Sequence, residues 1–257
     1  MKKSKNLKKL LFLFSTALLV GCAENGYKNS WQEEELNGNV KSIRQLAFSF
    51  AEENGQIVIL DTLATDNFFI LFDEKGNETQ RTFFAFNGQP VNISRLEYDE
   101  KGRKIKKITS DMQGNVGETS VYSYNSKGQL TEETFENIGG TTIYSYKYNG
   151  NVEEITISEA DGKPLYIFST TCDGKKIVSA RDIFCSFGTV NETTYKTDKQ
   201  GREIEAAVRF LDERGALTGE EIRRTVYQDD EHGNWTLKKT FLNEVPAILF
   251  KRTVEYF

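Results

Sequence analysis

The sequence is poor in the residues that most catalytic and disordered chains depend on. It has one histidine, three prolines, three cysteines and two methionines in 257 residues. A single histidine excludes a zinc centre built from histidines, and serine–histidine–aspartate catalysis would have to use His232 alone. His232 sits in an Asp-Glu-His-Gly turn and is read as an exposed turn residue. So few prolines argue against a disordered linker protein. No run of lysine and arginine occurs beyond the N-terminus, and the net charge is −5, which points away from nucleic acid. No window after Cys22 keeps a helical period.

Chemistry is equally sparse. The runs Glu33-Glu34-Glu35, Glu132-Glu133, Glu153-Glu154, Glu220-Glu221 and Asp229-Asp230 are read as solvated faces, because neighbours on a strand point to opposite sides. A glycosidase needs two carboxylates converging on one sugar, which adjacent residues do not supply. Cys172 and Cys185 flank turns at opposite ends of one strand, about 25 Å apart at strand rise. A disulfide needs Cα atoms within about 7 Å, so two free, buried thiols are expected. No catalytic residue, metal or cofactor is expected, and the chain is read as no enzyme.

The first residues form an address. Met1 to Lys9 are rich in lysine, Leu10 to Val20 is an apolar stretch too short to span a bilayer, and Leu19-Val20-Gly21-Cys22 follows. This order resembles a bacterial lipobox, in which Cys22 becomes the lipidated first residue. It implies a signal peptide at 1–21, a polar tether at 22–35 and a single β domain at 36–257. With Ala23 after the cysteine, the resemblance implies an outer-membrane lipoprotein, on either face of that membrane. The partner it implies is the membrane, through the N-terminal lipid anchor.

The remainder is punctuated by turns. Asp-x-x-Gly or Asn-x-x-Gly occurs at 73–76, 99–102, 111–114, 125–128, 137–140, 198–201, 212–215 and 230–233. Asp or Asn bonds the backbone two residues on, and glycine takes the left-handed conformation that returns the chain. Tight Asn-Gly or Asp-Gly pairs occur at 37–38, 54–55, 87–88, 149–150, 161–162 and 173–174. Turn glycines recur every 10 to 14 residues or so, and alternating segments such as 203–210 fill the gaps, the rhythm of an all-β meander. Two steps make a repeat of about 26 residues. The expected fold is all-β, an antiparallel meander of about 14 strands built from repeated hairpins, curled or two-layered.

Tyr98-Asp99-Glu100-Lys101-Gly102-Arg103 resembles the YD or RHS repeat of bacterial secreted and surface proteins. Phe72 to Asn77 and Tyr124 to Gln129 resemble degenerate copies. The opening at Leu36 to Ile43 and the Asp230 to Trp235 box resemble repeat lipoproteins of Bacteroidetes. The repeat carries no enzymatic residues, so the resemblance implies none.

One surface stands out. Tyr144, Tyr146 and Tyr148 share a strand face, with Tyr122 and Tyr124 one hairpin away. Such rows stack on sugar rings, pack a protein partner, or form the buried face of the sheet. The leading expectation is a lipid-anchored envelope module binding a glycan or an envelope protein. A structural or scaffold lipoprotein and a carbohydrate-active enzyme are the alternatives. A barrel spanning the outer membrane is rejected, because Lys251, Thr253 and Glu255 occupy one face of the last strand.

Overall fold

The computed structural model describes residues 28–174 and 176–257. Among them the turns act as the sequence implies. Asp73 Oδ1 accepts the N–H groups of Lys75 and Asn77, both at 2.9 Å. Asp99, Asp111, Asn125, Asp198, Asp212 and Asp230 repeat that pair of bonds at their own turns. In each, a glycine at φ near +80 to +90° closes the loop. Asn87-Gly88 and Asp161-Gly162 belong to the same four-residue turns, not to two-residue ones. Asn137 to Gly140, in contrast, is a tight hairpin, with these two residues paired.

The strands run β1 (Val40–Glu53), β2 (Gln56–Thr62), β3 (Phe68–Phe72), β4 (Glu78–Phe84), β5 (Pro90–Tyr98) and β6 (Lys104–Asp111). Then come β7 (Val116–Tyr124), β8 (Leu130–Asn137), β9 (Gly140–Asn149), β10 (Val152–Glu159), β11 (Pro164–Asp173) and β12 (Lys176–Phe184). The last are β13 (Thr189–Thr197), β14 (Glu203–Leu211), β15 (Leu217–Asp229), β16 (Trp235–Leu242) and β17 (Val245–Tyr256). All pairings are antiparallel between sequence neighbours, with two exceptions that matter. β1 pairs with β17 and also with β3. The expected meander of about 14 strands is therefore corrected: 17 strands form one sheet, and it closes into a 16-stranded barrel with β2 as an extra strand. Closure removes the edges that a sheet this wide would otherwise expose. The glycine rhythm undercounts because the β2–β3 connection and the β16–β17 turn at Asn243-Glu244 carry no glycine, and β2 and β3 lie end to end along β1.

Register fixes which residues face inward. Ile43, Phe68, Ile70, Phe72 and Val40 form a buried cluster with Trp31 packed on it. Ile155, Phe168 and Ala180 form a second on the far side. Outward positions carry charge on most strands. Arg181, Glu192, Arg209 and Glu220 lie opposite one another across four strands and form a belt of ion pairs. A lipid-facing wall is apolar, and this belt is charged.

The two rims differ. On one rim, the turns at 73–76, 99–102, 125–128, 198–201 and 230–233 carry only polar residues and glycine. The opposite rim exposes Phe86, Met112, Ile138, Phe187 and Val245 at its turns.

Candidate functional site

The lumen holds the groups the outer surface lacks. At the polar rim, residues 28–36 fold into it. Asn29 caps α1 (Ser30–Glu33), with Gln32 completing the capping box. Trp31 packs flat against Gly76, donates Nε1–H to the Val40 carbonyl at 2.8 Å, and leaves no room there for a Cβ, which would meet its ring at 2.5 Å. Ser30 Oγ accepts the Glu78 N–H. These residues fall inside the expected tether, yet part of that segment is a helical turn docked in the barrel. Residues 22–27, with the candidate lipidation site Cys22, lie outside the described residues.

The acidic run was read as solvated, and for Glu34 that reading is corrected. Its carboxylate lies 2.8 Å from both Arg81 Nη2 and Arg252 Nη2. Burial alone would raise its pKa, but the two guanidinium groups hold it below the usual carboxylate range. Arg252 also stacks on Trp235 at 3.9 Å and donates Nε–H to Gln45. Glu33 pairs with Lys104, and Glu35 acts on Lys238. Inward positions on this side carry Arg81, Lys104, Lys107, Arg223, Lys238 and Arg252.

The other side is different. Tyr122 (β7), Glu133 (β8), Tyr144 (β9), Ile157 (β10), Tyr166 (β11) and Phe184 (β12) stand in one row across the inner wall. A parallel row runs Tyr146, Ile155, Phe168 and Asp182, and a third runs Tyr148, Glu153, Thr170 and Ala180. All five candidate tyrosines, Tyr122, Tyr124, Tyr144, Tyr146 and Tyr148, thus face inward and are brought together. Tyr144 and Tyr146 also pack on the second core cluster, so they are partly the buried face of the sheet. The Tyr98 hydroxyl donates to the Glu78 carbonyl and Tyr124 to that of Lys104, each at 2.8 Å and twenty residues back. Burial raises the pKa of Tyr122, Tyr124, Tyr144, Tyr146 and Tyr148 alike.

Glu153 was missed. Burial pushes it up to about 7, opposed by a hydrogen bond from the Tyr148 hydroxyl and by the charge of Lys28. Asp182, bonded by the Tyr166 hydroxyl, is likewise raised by burial. Glu132-Glu133 and Glu153-Glu154 were grouped as solvated pairs, but each splits, with Glu133 and Glu153 turning in and Glu154 turning out toward Lys147. Carrying the Tyr148 alternation through the Asn149-Gly150 turn would have found Glu153. A hollow of about 550 Å³ opens beside this wall, lined by Asn125, Gln129, Tyr146, Tyr148 and Asn149, with Lys127 and Lys147 also lining it.

His232 is in its turn, its ring tilted over Tyr256 at 4.1 Å. Cys185 is free and half-buried, and Cys172 is not a free thiol, which corrects the expectation of two free, buried thiols.

A porin-like protein from Bacteroides uniformis is similar in fold, with 16% identity, 90% of this chain and 100% of that one covered, and a TM-score of 0.53. A porin-like protein from Bacteroides vulgatus matches at 10% identity over 85% of this chain and 99% of that one, with a TM-score of 0.49. A chain of the TcdB2-TccC3-Cdc42 structure matches at 18% identity over 82% of this chain and 12% of its own length, with a TM-score of 0.35. No curated protein matches. The Teneurin YD-shell family model matches residues 20–210, which takes in the Tyr98-Asp99 turn, its counterparts at Phe72-Asp73 and Tyr124-Asn125, and the tyrosine rows inside the barrel. The chain belongs to the Teneurin YD-shell family.

Proposed function

We propose that this protein is a cell-envelope shell that holds a ligand inside its barrel and performs no reaction on it. The observation that carries this reading is the inner wall of β7–β13, where tyrosines from alternate strands stand beside carboxyl groups on a closed wall. Aromatic rings edged with hydrogen-bonding groups suit a glycan or the side chains of an envelope protein. Glu153 and Asp182 lie two strands and two residues apart, roughly 12 Å within the sheet. Each of these carboxyls is held by its own tyrosine hydroxyl, Tyr148 on Glu153 and Tyr166 on Asp182, an arrangement that favours binding over hydrolysis. The Lys-rich start, Leu10 to Val20 and Cys22 support delivery as a lipid-anchored outer-membrane protein, and the charged outer wall suits a body standing in water. The test is a glycan array followed by titration calorimetry on residues 23–257 carrying Cys22→Ser. A hit weakened by Tyr146→Phe or Tyr148→Phe, with the circular dichroism unchanged, supports the reading. Binding unaffected by both substitutions places the ligand elsewhere and overturns it.

A scaffold role is the second reading, favoured by the apolar rim. Phe187 is 71% exposed and Phe86 62%, on turns where solvent-facing residues are usually polar. Concentration-dependent association, abolished by Phe86→Ser with Phe187→Ser, would favour it.

A further inference from the structure

We propose that the tyrosine-lined wall of β7–β13 is a binding site for a lysine-bearing peptide segment, centred on Glu153, Tyr148 and Thr170. The inference rests on the lumen-binding reading and narrows its ligand.

The barrel already shows the rule by which its wall binds a chain segment. Its basic side has taken in an acidic stretch, and Glu34 is clamped between Arg81 and Arg252. The opposite side has the reverse charge. Inward positions on β7–β13 carry Glu118, Glu133, Glu153 and Asp182 and no lysine or arginine. The basic residues of these strands point out, as Lys147, Arg181 and Lys196 do toward outer-face acids. By the same electrostatics the acidic wall suits a basic segment.

Two further observations locate the site. Thr170 is 1% exposed, lies opposite Glu153 in register, and its Oγ1 has no hydrogen-bond partner among the described residues. A buried hydroxyl left unpaired is costly, and a ligand amine or amide would satisfy it. Glu153 has the Tyr148 hydroxyl on it from β9 and Thr170 opposite on β11, and the cation that acts on it is Lys28 of the N-terminal segment. No salt bridge to Glu153 forms among the described residues, so its carboxyl is open to a ligand ammonium group. The faces of Tyr146 and Tyr148 add cation–π attraction for that group.

The test is calorimetric titration of the full-length chain with an acetylated tri-lysine peptide. Saturable binding at pH 8 is expected, weakened at least tenfold by Glu153→Gln and less by Tyr148→Phe, which keeps the ring. With Glu153 held at about 7, wild-type affinity falls about tenfold between pH 8 and pH 6 as the carboxylate takes up a proton. Tri-glutamate is expected not to bind. Equal tri-lysine binding by folded Glu153→Gln overturns the proposal, as does an amino-sugar oligomer binding where the peptide does not. A neutral glycan bound in the lumen without any tri-lysine binding overturns this inference and leaves the broader reading standing. Silence from glycan and peptide alike sinks both.

Discussion

The barrel wall has two sides with the same backbone and opposite contents. On the side from β16 through β1 to β6, inward cations meet an acidic segment of the same chain, and apolar rings seal it. On the side from β7 to β13, inward acids and tyrosines face the lumen, with Lys28 acting on Glu153 and Arg223 on Asp182. Both grow from the same hairpin repeat and the same Asp-x-x-Gly turns. The repeat therefore builds the wall, and inward side chains decide what the wall holds. The first side is completed by the fold itself, and the second keeps a buried hydroxyl, that of Thr170, which the fold does not pair.

Removing the centre of the completed side should have the largest effect. Glu34→Ala leaves Arg252, only 6% exposed, without its carboxylate, and leaves Arg81 with Glu78 alone. Deleting one member of a buried ion network costs about 3–5 kcal/mol, because the buried Arg252 loses its counter-ion. Urea unfolding would measure it. Adding Arg252→Met should recover part of the loss, and if it does not, the network is not what holds the segment.

Two matched glycines compare the sides directly. Gly76 and Gly128 close the same turn with φ of +84° and +82°. A Cβ at Gly128 meets nothing within 4 Å, whereas at Gly76 it would strike Trp31. Gly128→Ala should cost only the left-handed backbone term, about 1–2 kcal/mol. Gly76→Ala should cost about 3 kcal/mol or more, since a ring must also move. Equal losses would mean that Trp31 is not seated as described.

The open side should respond in the other direction. An acid whose folded pKa is raised binds its proton more tightly in the native state. Its contribution is fully present below the unfolded value of 4.5 and is lost as pH rises through about 7. Glu153→Gln removes that penalty, so the variant should gain on the order of 1 kcal/mol at pH 8 and nothing at pH 4. Thermal unfolding at the two pH values checks the sign.

Much of this was legible in the sequence. The turns were readable because Asp, Asn and Gly carry their own geometry, and the repeat because it recurs. The shared face of Tyr144, Tyr146 and Tyr148 follows from period two alone. Which face is inside does not, since closure depends on β1 reaching both β3 and β17 across the whole chain. For the same reason Glu34 read as solvent-facing: its partners Arg81 and Arg252 are 47 and 218 residues away. Glu153 was within reach but was grouped with Glu154 by adjacency instead of with Tyr148 by register.

The smallest effect belongs to the outer belt, and it is the control for the largest. Glu192 lies between Arg181 and Arg209 much as Glu34 lies between Arg81 and Arg252. The outer contacts are 4.0 and 3.5 Å and the side chains are 41–53% exposed. Water already solvates these charges and salt screens them, so such pairs are worth about 0–1 kcal/mol. Glu192→Ala should therefore shift stability by less than about 1 kcal/mol, and the shift should vanish in high salt. The Glu34→Ala loss should persist there, because its arginines are shielded from the ions. If both variants lost equally, burial would not be what distinguishes the wall's inner side from its outer one, and the contrast between the two sides of the lumen would lose its physical basis.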